Sequence, residues 1–287
     1  MTPKVYFTKV ITSAALVELY KKLGIKLNGK VAVKVHSGEK GNQNFLRPEF
    51  MKDIIAHVGG TIVECNTAYE GQRNTSEKHK KLIAAHGWSK LFNVDILDED
   101  GQDELQIPTG KIIKKNFVGD HMKNYDSMLV ISHFKGHPMG GYGGALKNIS
   151  IGLASSYGKA YIHGAGDPEK IWTADHDKFL MSMADASKSN VDLYKNKIAF
   201  INVMCNMSVD CDCCAKAENP KMADIGVLAS LDPVALDRAC LDLVYASKDE
   251  GKKHLIERIE SRNGELTLNA AADLKVGSKK YELVCID

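Results

Sequence analysis

The stretch Ile198-Ala-Phe-Ile-Asn-Val203, followed closely by Cys205-Asn-Met-Ser-Val-Asp-Cys211-Asp-Cys213-Cys214, decides which fold and which chemistry to expect. Its first part has the length and the branched and aromatic residues of a buried strand. Four of the seven cysteines then follow within ten residues. Ligand sites in α/β folds lie where a parallel strand opens into a loop, and these cysteines stand at such a point. The stretch therefore predicts an α/β fold with a site at the carboxyl end of this strand.

The clustering of the cysteines would let two sulfurs hold one ion if the segment is extended. Side chains alternate along such a segment, so Cys211 and Cys213 point one way while Asp212 and Cys214 point the other. Adjacent cysteines seldom share one metal ion, so further ligands of a tetrahedral site must come from elsewhere. We expect metal ligands among Cys205, Cys211, Cys213 and Cys214, with His133 and His137 as further candidates. The alternative is that the thiols are reduced, semi-buried packing groups.

Composition limits the class of protein. The 287 residues are 44% hydrophobic and 26% charged, which is typical of an ordinary globular protein. A formal net charge of +2 gives no electrostatic reason to expect a nucleic-acid partner. No apolar run approaches the roughly 18 residues of a membrane span. We therefore expect neither a nucleic-acid nor a membrane partner.

The cysteine count and the first residues bear on the compartment. The start Met1-Thr-Pro-Lys-Val-Tyr-Phe alternates polar and apolar residues and lacks the apolar region of a secretory signal. We therefore expect a cytoplasmic protein with reduced cysteines. An odd number of cysteines, seven, argues against a disulfide framework and leaves metal binding or thiol chemistry.

Strand-like and helix-like runs alternate along the chain. This repeated order predicts a mainly parallel sheet flanked by helices. Two domain arrangements fit the order: one domain over residues 1–287, or two α/β lobes over 1–125 and 126–287 with the site in the crevice between them. The strand-like runs are Val5–Phe7, Val31–Val35, Thr61–Cys65, Phe92–Leu97, Tyr125–Ser132 and Ile198–Val203, and the helix-like runs include Thr12–Leu23, one opened by Pro48, Ser76–His86 and one that follows the predicted cap Asp232. An antiparallel excursion is expected over Gln106–Phe117.

A glycine-rich loop follows the run that ends at Ser132. It reads His133-Phe-Lys135-Gly136-His137-Pro-Met-Gly140-Gly141-Tyr-Gly143-Gly144-Ala-Leu-Lys147-Asn148, with five glycines in nine residues before a helix that begins near Gly144. Such glycines can bring backbone N–H groups close to an anion at a helix start. The loop matches neither the Rossmann nor the Walker pattern. We expect Gly141, Gly143, Gly144 and Asn148 to contact a small anionic molecule or a nucleotide; a tight surface loop without a ligand is the alternative.

Ionisable side chains in two loops complete the expected site. His133, Lys135 and His137 alternate, so an extended backbone would present all three on one side. With Lys147 they are the candidate catalytic residues.

A second polar loop follows Val35. There His36, Lys40 and Arg47 could hold a carboxylate or phosphate, and Arg47 could do so bidentately. A solvated loop is the alternative. Near the C-terminus, Asp237 is not needed for capping, and we expect it to face the same crevice as Asp224.

Several motifs together resemble those of the domain-of-unknown-function family 362. They are Val33-Lys-Val-His36-Ser-Gly-Glu, Phe45-Leu-Arg47-Pro-Glu, His133-Phe-Lys-Gly-His137, Gly144-Ala-Leu-Lys147-Asn148, Asp210-Cys-Asp-Cys213, and Asp224-Ile-Gly-Val-Leu-Ala-Ser-Leu-Asp-Pro-Val-Ala-Leu-Asp237. The resemblance runs in order from about Val5 to Val244. It carries over to His36, Arg47, His133, Lys135, His137, Lys147, Asp210, Cys211, Asp212, Cys213, Asp224 and Asp237.

What the resemblance implies about function is limited, because the family has no settled reaction. Members are often described as iron-sulfur center proteins, and many carry an inserted ferredoxin-like module after the position matching His163. Residues 164–170 of this chain contain no cysteine. Only Cys211 and Cys213 match the family's cysteine pair, so Cys205 and Cys214 are additional.

Three functions remain open on the sequence. The first is an oxidoreductase that uses an iron-sulfur cluster or a single iron or zinc ion on a small anionic substrate. The second is a non-catalytic protein that binds zinc or another soft metal. The third is an enzyme that binds a nucleotide or phosphorylated compound and moves a proton through His133 or His137, without a redox step.

Overall fold

A computed structural model of the chain describes residues 2–287. The strands are β1 (Lys4–Thr8), β2 (Val31–Lys34), β3 (Gly60–Glu64), β4 (Val94–Ile96), β5 (Gln102–Gln106), β6 (Lys115–Gly119), β7 (Ser127–His133), β8 (Lys135–His137), β9 (Gly141–Gly143), β10 (Ile198–Met204), β11 (Gly226–Ser230) and β12 (Glu282–Cys285). The α-helices are α1 (Ser13–Lys22), α2 (Lys52–Val58), α3 (Ser76–Ala85), α4 (Trp88–Leu91), α5 (Ala145–Ser150), α6 (Ser156–His163), α7 (His176–Tyr194), α8 (Pro233–Ala246), α9 (Lys252–Ser261) and α10 (Glu265–Asp273). Single 3-10 turns lie at Pro48–Met51, Asp120–Asn124 and Pro168–Lys170.

Eight strands form one sheet in the order β12-β1-β11-β10-β7-β2-β3-β4. Neighbouring strands from β4 to β10 are parallel, and β11 runs antiparallel to both of its neighbours. The predicted α/β class with a mainly parallel sheet is therefore confirmed. Because β2, β3, β7 and β10 are parallel, the loops after Lys34, Glu64, His133 and Met204 leave the same edge of the sheet.

Helices cover both faces of this sheet. One apolar cluster contains Leu16 of α1 and Ile54 of α2, and the other contains Leu146 of α5 and Leu236 of α8. Every residue of β7 and of β10 is buried. A strand covered on both faces reads as a continuous apolar run, which is why these two strands could be recognised in the sequence.

Local signals fixed several element ends. The Asp232 carboxylate accepts hydrogen bonds from Val234 N and Ala235 N, so this predicted cap is confirmed. The Thr12 side chain, at the start of the helix-like run, accepts a hydrogen bond from Ala15 N and caps α1. Pro48 opens a 3-10 turn, and α2 follows it. The expected antiparallel excursion is the pairing of β5 with β6.

Strands from residues 1–125 and from 126–287 belong to the same sheet. The division into two lobes is not tested by this observation alone and stays a prediction. Within residues 2–287, no helix combines the length and the apolar character that crossing a membrane requires.

Candidate metal-binding site

A cavity of about 240 Å³ lies at the edge of the sheet where the parallel strands end. Its wall includes His36 after β2, Glu64 at the end of β3, His133 at the end of β7, and Cys211 in the loop after β10. The loops that the sequence suggested as ligand sites therefore meet around one space.

Backbone hydrogen bonds join these loops to the cysteine segment, defined here as residues 205–214. Glu39 N donates to Asp212 O at 2.9 Å, and Gly136 N donates to Ser208 O at 2.7 Å. The side-chain Nδ2 of Asn42 also donates to the carbonyls of Cys211 and Cys214. A Cβ at position 136 would lie 2.4 Å from Val209 O, so only glycine allows this close approach.

Three side chains in the cavity wall could hold a metal ion. Ligand atoms of His137, Cys211 and Cys213 all lie within 4.8 Å of one another. Two sulfurs and one imidazole are a donor set that zinc and other soft metals favour. This pairing of Cys211 with Cys213 is the one that side-chain alternation predicts, and His137 was a candidate third ligand.

The other two cysteines of the segment lie outside this group of three. Cys205 is buried, and its carbonyl accepts a hydrogen bond from His133 Nε2 at 2.6 Å. Burial raises the pKa of the Cys205 thiol to about 12. The Cys214 thiol is close to that of Cys213, and this contact lowers its pKa.

Asp212 fixes the direction in which the two grouped cysteines point. Its carboxylate is buried, accepts a hydrogen bond from His133 Nδ1 at 2.9 Å and pairs with Lys135 Nζ at 2.9 Å. Burial alone would raise the pKa of Asp212, but the two cationic neighbours hold it well below its usual range. The extended backbone expected from the sequence is not found here, because Cys214 N donates to Cys211 O at 2.9 Å and residues 211–214 form a turn. This turn places Cys211 and Cys213 at the cavity while Asp212 is anchored outside its wall.

Both ring nitrogens of His133 are occupied. Nδ1 faces the Asp212 carboxylate and Nε2 faces the Cys205 carbonyl, and neither oxygen can donate a proton. A ring that donates from both nitrogens is the charged imidazolium. His133 therefore joins Cys205 to Asp212 within the cysteine segment, and neither of its ring nitrogens is free to bind a metal ion.

His137 has a different pattern. Its Nδ1 accepts hydrogen bonds from Met139 N at 3.1 Å and Gly140 N at 2.8 Å. Burial, together with the charge of Lys147, lowers the pKa of His137 to about 4, so the ring is neutral near pH 7, as a metal ligand must be. Because Nδ1 is an acceptor, the neutral ring carries its proton on Nε2, and a metal ion bound at Nε2 would have to displace that proton.

Positive charge dominates the cavity wall. Five lining side chains are lysine or arginine and one, Glu64, is a carboxylate. Three of the cations have acidic partners: Lys34 pairs with Glu64, Arg73 with Glu39, and Lys135 with Asp212. Lys159 Nζ donates only to the carbonyl of Ala154, and within residues 2–287 Lys147 Nζ has no hydrogen bond or ion pair. Two lysines of the wall are therefore left without an acidic partner, and burial lowers the pKa of Lys159.

Several lining residues were not singled out from the sequence. His163 donates from Nδ1 to Lys159 O at 2.7 Å, which leaves Nε2 as an acceptor, and burial lowers its pKa to about 4. Lys34 and Glu64 end apolar strands, and a charge at such a position is the signal that could have marked them. For Lys159 and Trp172 the sequence offers no comparable signal.

The remaining residues predicted to bind a ligand differ in whether they reach the cavity. Arg47 is exposed, donates to Gln43 O and lies over the ring of Phe45, away from the cavity. Gly143, Gly144 and Asn148 line the cavity, whereas Gly141 packs against Gly264. His36 lines it too, and burial lowers its pKa well below the usual range.

The helix start that follows the glycine-rich loop already binds a carboxylate of the protein itself. Asp237 accepts hydrogen bonds from Ala145 N at 2.8 Å and Leu146 N at 3.0 Å, the first N–H groups of α5. Those groups are not free for a phosphate. The expectation that Asp237 shares a crevice with Asp224 is wrong, because Asp237 is buried here while Asp224 is exposed and accepts a hydrogen bond from Asn206 N.

Comparison with known proteins gives a family but no activity. No curated protein matches the chain. Among solved structures, the lactate racemase apoprotein from Thermoanaerobacterium thermosaccharolyticum is similar at 14% identity and a TM-score of 0.42, over 70% of this chain and 50% of that one. A crystal structure of a Thermotoga maritima protein is similar at 11% identity and a TM-score of 0.44, over 93% of this chain and 60% of that one.

The chain thus spans only 50% and 60% of the lengths of those two proteins, and neither likeness is close enough to bring a function to it. The family comparison covers most of the chain: the model described as Domain of unknown function (DUF362) matches residues 31–242. The chain belongs to this family, which has no characterised function.

Proposed function

We propose that the protein is an enzyme that uses a metal ion held by His137, Cys211 and Cys213 to act on a small organic anion. One observation carries the proposal: three ligand atoms lie within 4.8 Å of one another in the wall of a cavity that also contains Lys147 and Lys159 without counter-ions. The metal group and the uncompensated charge share one space.

The number of ligands favours catalysis over a purely structural metal. Structural zinc sites are closed by four protein ligands, whereas catalytic sites use three and leave a position for water or substrate. Bound to His137, Cys211 and Cys213, a metal ion would supply a Lewis acid next to the bound anion. This count speaks against the alternative of a non-catalytic protein that binds zinc or another soft metal.

The cations of the wall would bind the substrate. Neither Lys147 nor Lys159 pairs with an acidic side chain, and burial lowers the pKa of Lys159, which a bound anion would raise again. The floor of the cavity is buried, where a charge interaction is stronger than in water. A carboxylate or phosphate group of the substrate would supply the missing counter-charge. Lys135 is already engaged by Asp212, so it orients the cysteine segment instead.

An iron-sulfur cluster has less support than a single ion. Cubane clusters usually take four cysteine thiolates, and only two of the four cysteines in the segment belong to the group of three. Zinc in the purified protein would favour Lewis-acid chemistry, and iron would favour the redox form of the proposal.

A second candidate function is a metal-free enzyme that moves a proton on a phosphorylated or carboxylated compound. The two backbone N–H groups at His137 Nδ1 favour it, because they stabilise the tautomer whose Nε2 already carries a proton. In this metal-free form, contact with Cys213 and burial raise the pKa of Cys211 to about 11, so its thiol is mostly protonated near pH 7 and would not act as a nucleophile.

Metal analysis after anaerobic purification tests the proposal. The wild-type protein should contain about one metal ion per chain, and the double variant C211S/C213S should retain less than about a tenth of that. C205S/C214S is the matched control, since it removes two cysteines of the same segment from outside the group and should keep the metal. Circular dichroism and thermal unfolding check that all three proteins are folded. A wild-type protein without metal, or equal loss in both double variants, would contradict the proposal.

A further inference from the structure

The two tryptophans of the chain have opposite surroundings. Trp88 is fully buried, and its Nε1 donates to Ser37 O at 3.1 Å. Trp172 is 66% exposed and stands in the wall of the cavity. A large aromatic side chain left in water forgoes burial worth a few kcal/mol, so an exposed one at a cavity calls for an explanation.

Backbone hydrogen bonds close the turn that carries Trp172. Lys170 N donates to Asp167 O at 3.0 Å, and the N–H groups of Thr173 and Ala174 both donate to Lys170 O. The backbone is thus held on both sides of Trp172. These hydrogen bonds hold the indole at the rim of the cavity, so less conformational entropy is lost when a ligand binds there.

Polarity changes across the cavity. Ile171, Met139 and Pro138 line the wall together with Trp172, whereas Lys147, Lys159 and His163 supply the polar part. His163 Nδ1 donates to Lys159 O at 2.7 Å, and Lys147 lines the same cavity. A ligand that fits both parts carries its charge on one side and an apolar group on the other.

We propose that the ligand of this cavity is an organic anion with a flat ring, whose charged group lies near Lys147 and Lys159 and whose ring packs against Trp172. The inference rests on the proposed function in taking the cavity as the substrate site, but binding of such an anion needs no metal. Aromatic rings stack on tryptophan in offset or edge-to-face arrangements that add to the gain from burial. Trp172 would therefore select the ring, and the lysines the charge.

Binding titrations followed by tryptophan fluorescence test separately whether the ring and the charged group of the ligand contribute to affinity. The probes are inorganic phosphate, phenyl phosphate and cyclohexyl phosphate, with benzoate to distinguish a carboxylate from a phosphate head. Titrations use chelator-treated protein, so a failure of the metal proposal does not affect them. Trp88 is buried, so a change in emission on binding is expected to come from Trp172 and should persist in the variant W88F.

The expected result is that phenyl phosphate binds at least about tenfold more tightly than inorganic phosphate, with cyclohexyl phosphate between them. W172A lacks the reporting tryptophan, so its affinities are measured by isothermal titration calorimetry alongside the wild type; there the advantage of phenyl phosphate should disappear while phosphate still binds. In K147Q both phosphates should bind about tenfold more weakly with their ratio kept. Equal affinities for the three phosphates in the wild type, or an unchanged advantage in W172A, would overturn the inference. So would Trp172 emission that varies with protein concentration instead of ligand, since that would make this surface an interface between copies of the chain.

Discussion

Two buried aspartates, Asp212 and Asp237, serve two neighbouring loops of the site, and their surroundings are opposite. Asp212 lies in the cysteine segment and is held by two cationic side chains, His133 and Lys135. Asp237 lies behind the glycine-rich loop and accepts hydrogen bonds only from neutral groups: the N–H groups of Ala145 and Leu146, and the amide of Asn202. Both carboxylates are almost completely buried, at 1% and 0% exposure.

The difference between the partners decides the charge on each aspartate. Cations hold the pKa of Asp212 well below its usual range, whereas burial raises the pKa of Asp237 to about 6. Neutral N–H donors thus satisfy the hydrogen bonds of a carboxylate without offsetting its removal from water. The same comparison distinguishes the two loops, which both look like binding motifs in the sequence. The cysteine segment has ligand atoms at the cavity, whereas the N–H groups that follow the glycine-rich loop already bind the Asp237 carboxylate.

The largest expected effect comes from removing Asp212. In D212A two buried cations lose their shared partner, so the free energy of unfolding should fall by about 3–5 kcal/mol. Urea denaturation measures it. The neighbouring variant D210A is the control, because Asp210 is partly exposed, accepts one solvent-exposed backbone N–H from Glu218 at 2.9 Å and lies 3.4 Å from Arg258 Nη1, and it should cost about 1 kcal/mol. A loss in D212A no greater than in D210A would show that Asp212 is not an anchor.

The pH dependence of stability should distinguish the aspartates next. Since the folded-state pKa of Asp237 is about 6, the native protein binds more protons than the unfolded chain between about pH 4 and pH 6. The stabilising effect of Asp237 is therefore complete below about pH 4 and declines as the pH rises to about 6. The difference in unfolding free energy between wild type and D237A should shrink by about 3 kcal/mol across this range. For Asp212, whose pKa is lowered, the corresponding difference should instead decrease as the pH falls below about 4.

At constant pH 7, D237A should lower the free energy of unfolding by about 2 kcal/mol, because buried N–H donors lose their acceptor. Its metal content should match that of the wild type, since Asp237 does not line the cavity. Urea denaturation and metal analysis of the same preparation measure both quantities. Loss of the metal with unchanged stability would reverse the roles assigned to the two loops.

The smallest effect is expected for D224A. The Asp224 carboxylate also accepts a backbone N–H, from Asn206 at 2.8 Å, but it is exposed, so water can replace it. We expect a loss of about 0.5 kcal/mol. A loss as large as that of D237A would mean that burial does not explain the contrast between these aspartates.

The sequence predicted the sheet and the grouped cysteines because their signals are local. Apolar runs mark β7 and β10, and side chains that cap helices mark Thr12 and Asp232. The close spacing of Cys211 and Cys213 predicted that they lie together, although a turn and not an extended segment brings them there. The convergence of loops follows from parallel strands, which end at one edge.

The remaining parts of the site depend on contacts between distant segments. Asp237 meets Ala145 across 92 residues, and nothing in the spacing of the glycines reveals that their helix start already has an anion. Similarly, no local pattern shows that Lys34 and Glu64 pair inside the protein or that Arg47 turns away from the cavity. Charge type could be read from the sequence, but the partner of each charge could not.

The metal ligands themselves can be counted by X-ray absorption at the edge of the metal ion in the anaerobically purified protein. We predict two sulfur neighbours, at about 2.3 Å if the metal is zinc, together with one imidazole nitrogen. C205S/C214S should give the same spectrum. Four sulfur neighbours, or none, would contradict a site made by His137, Cys211 and Cys213.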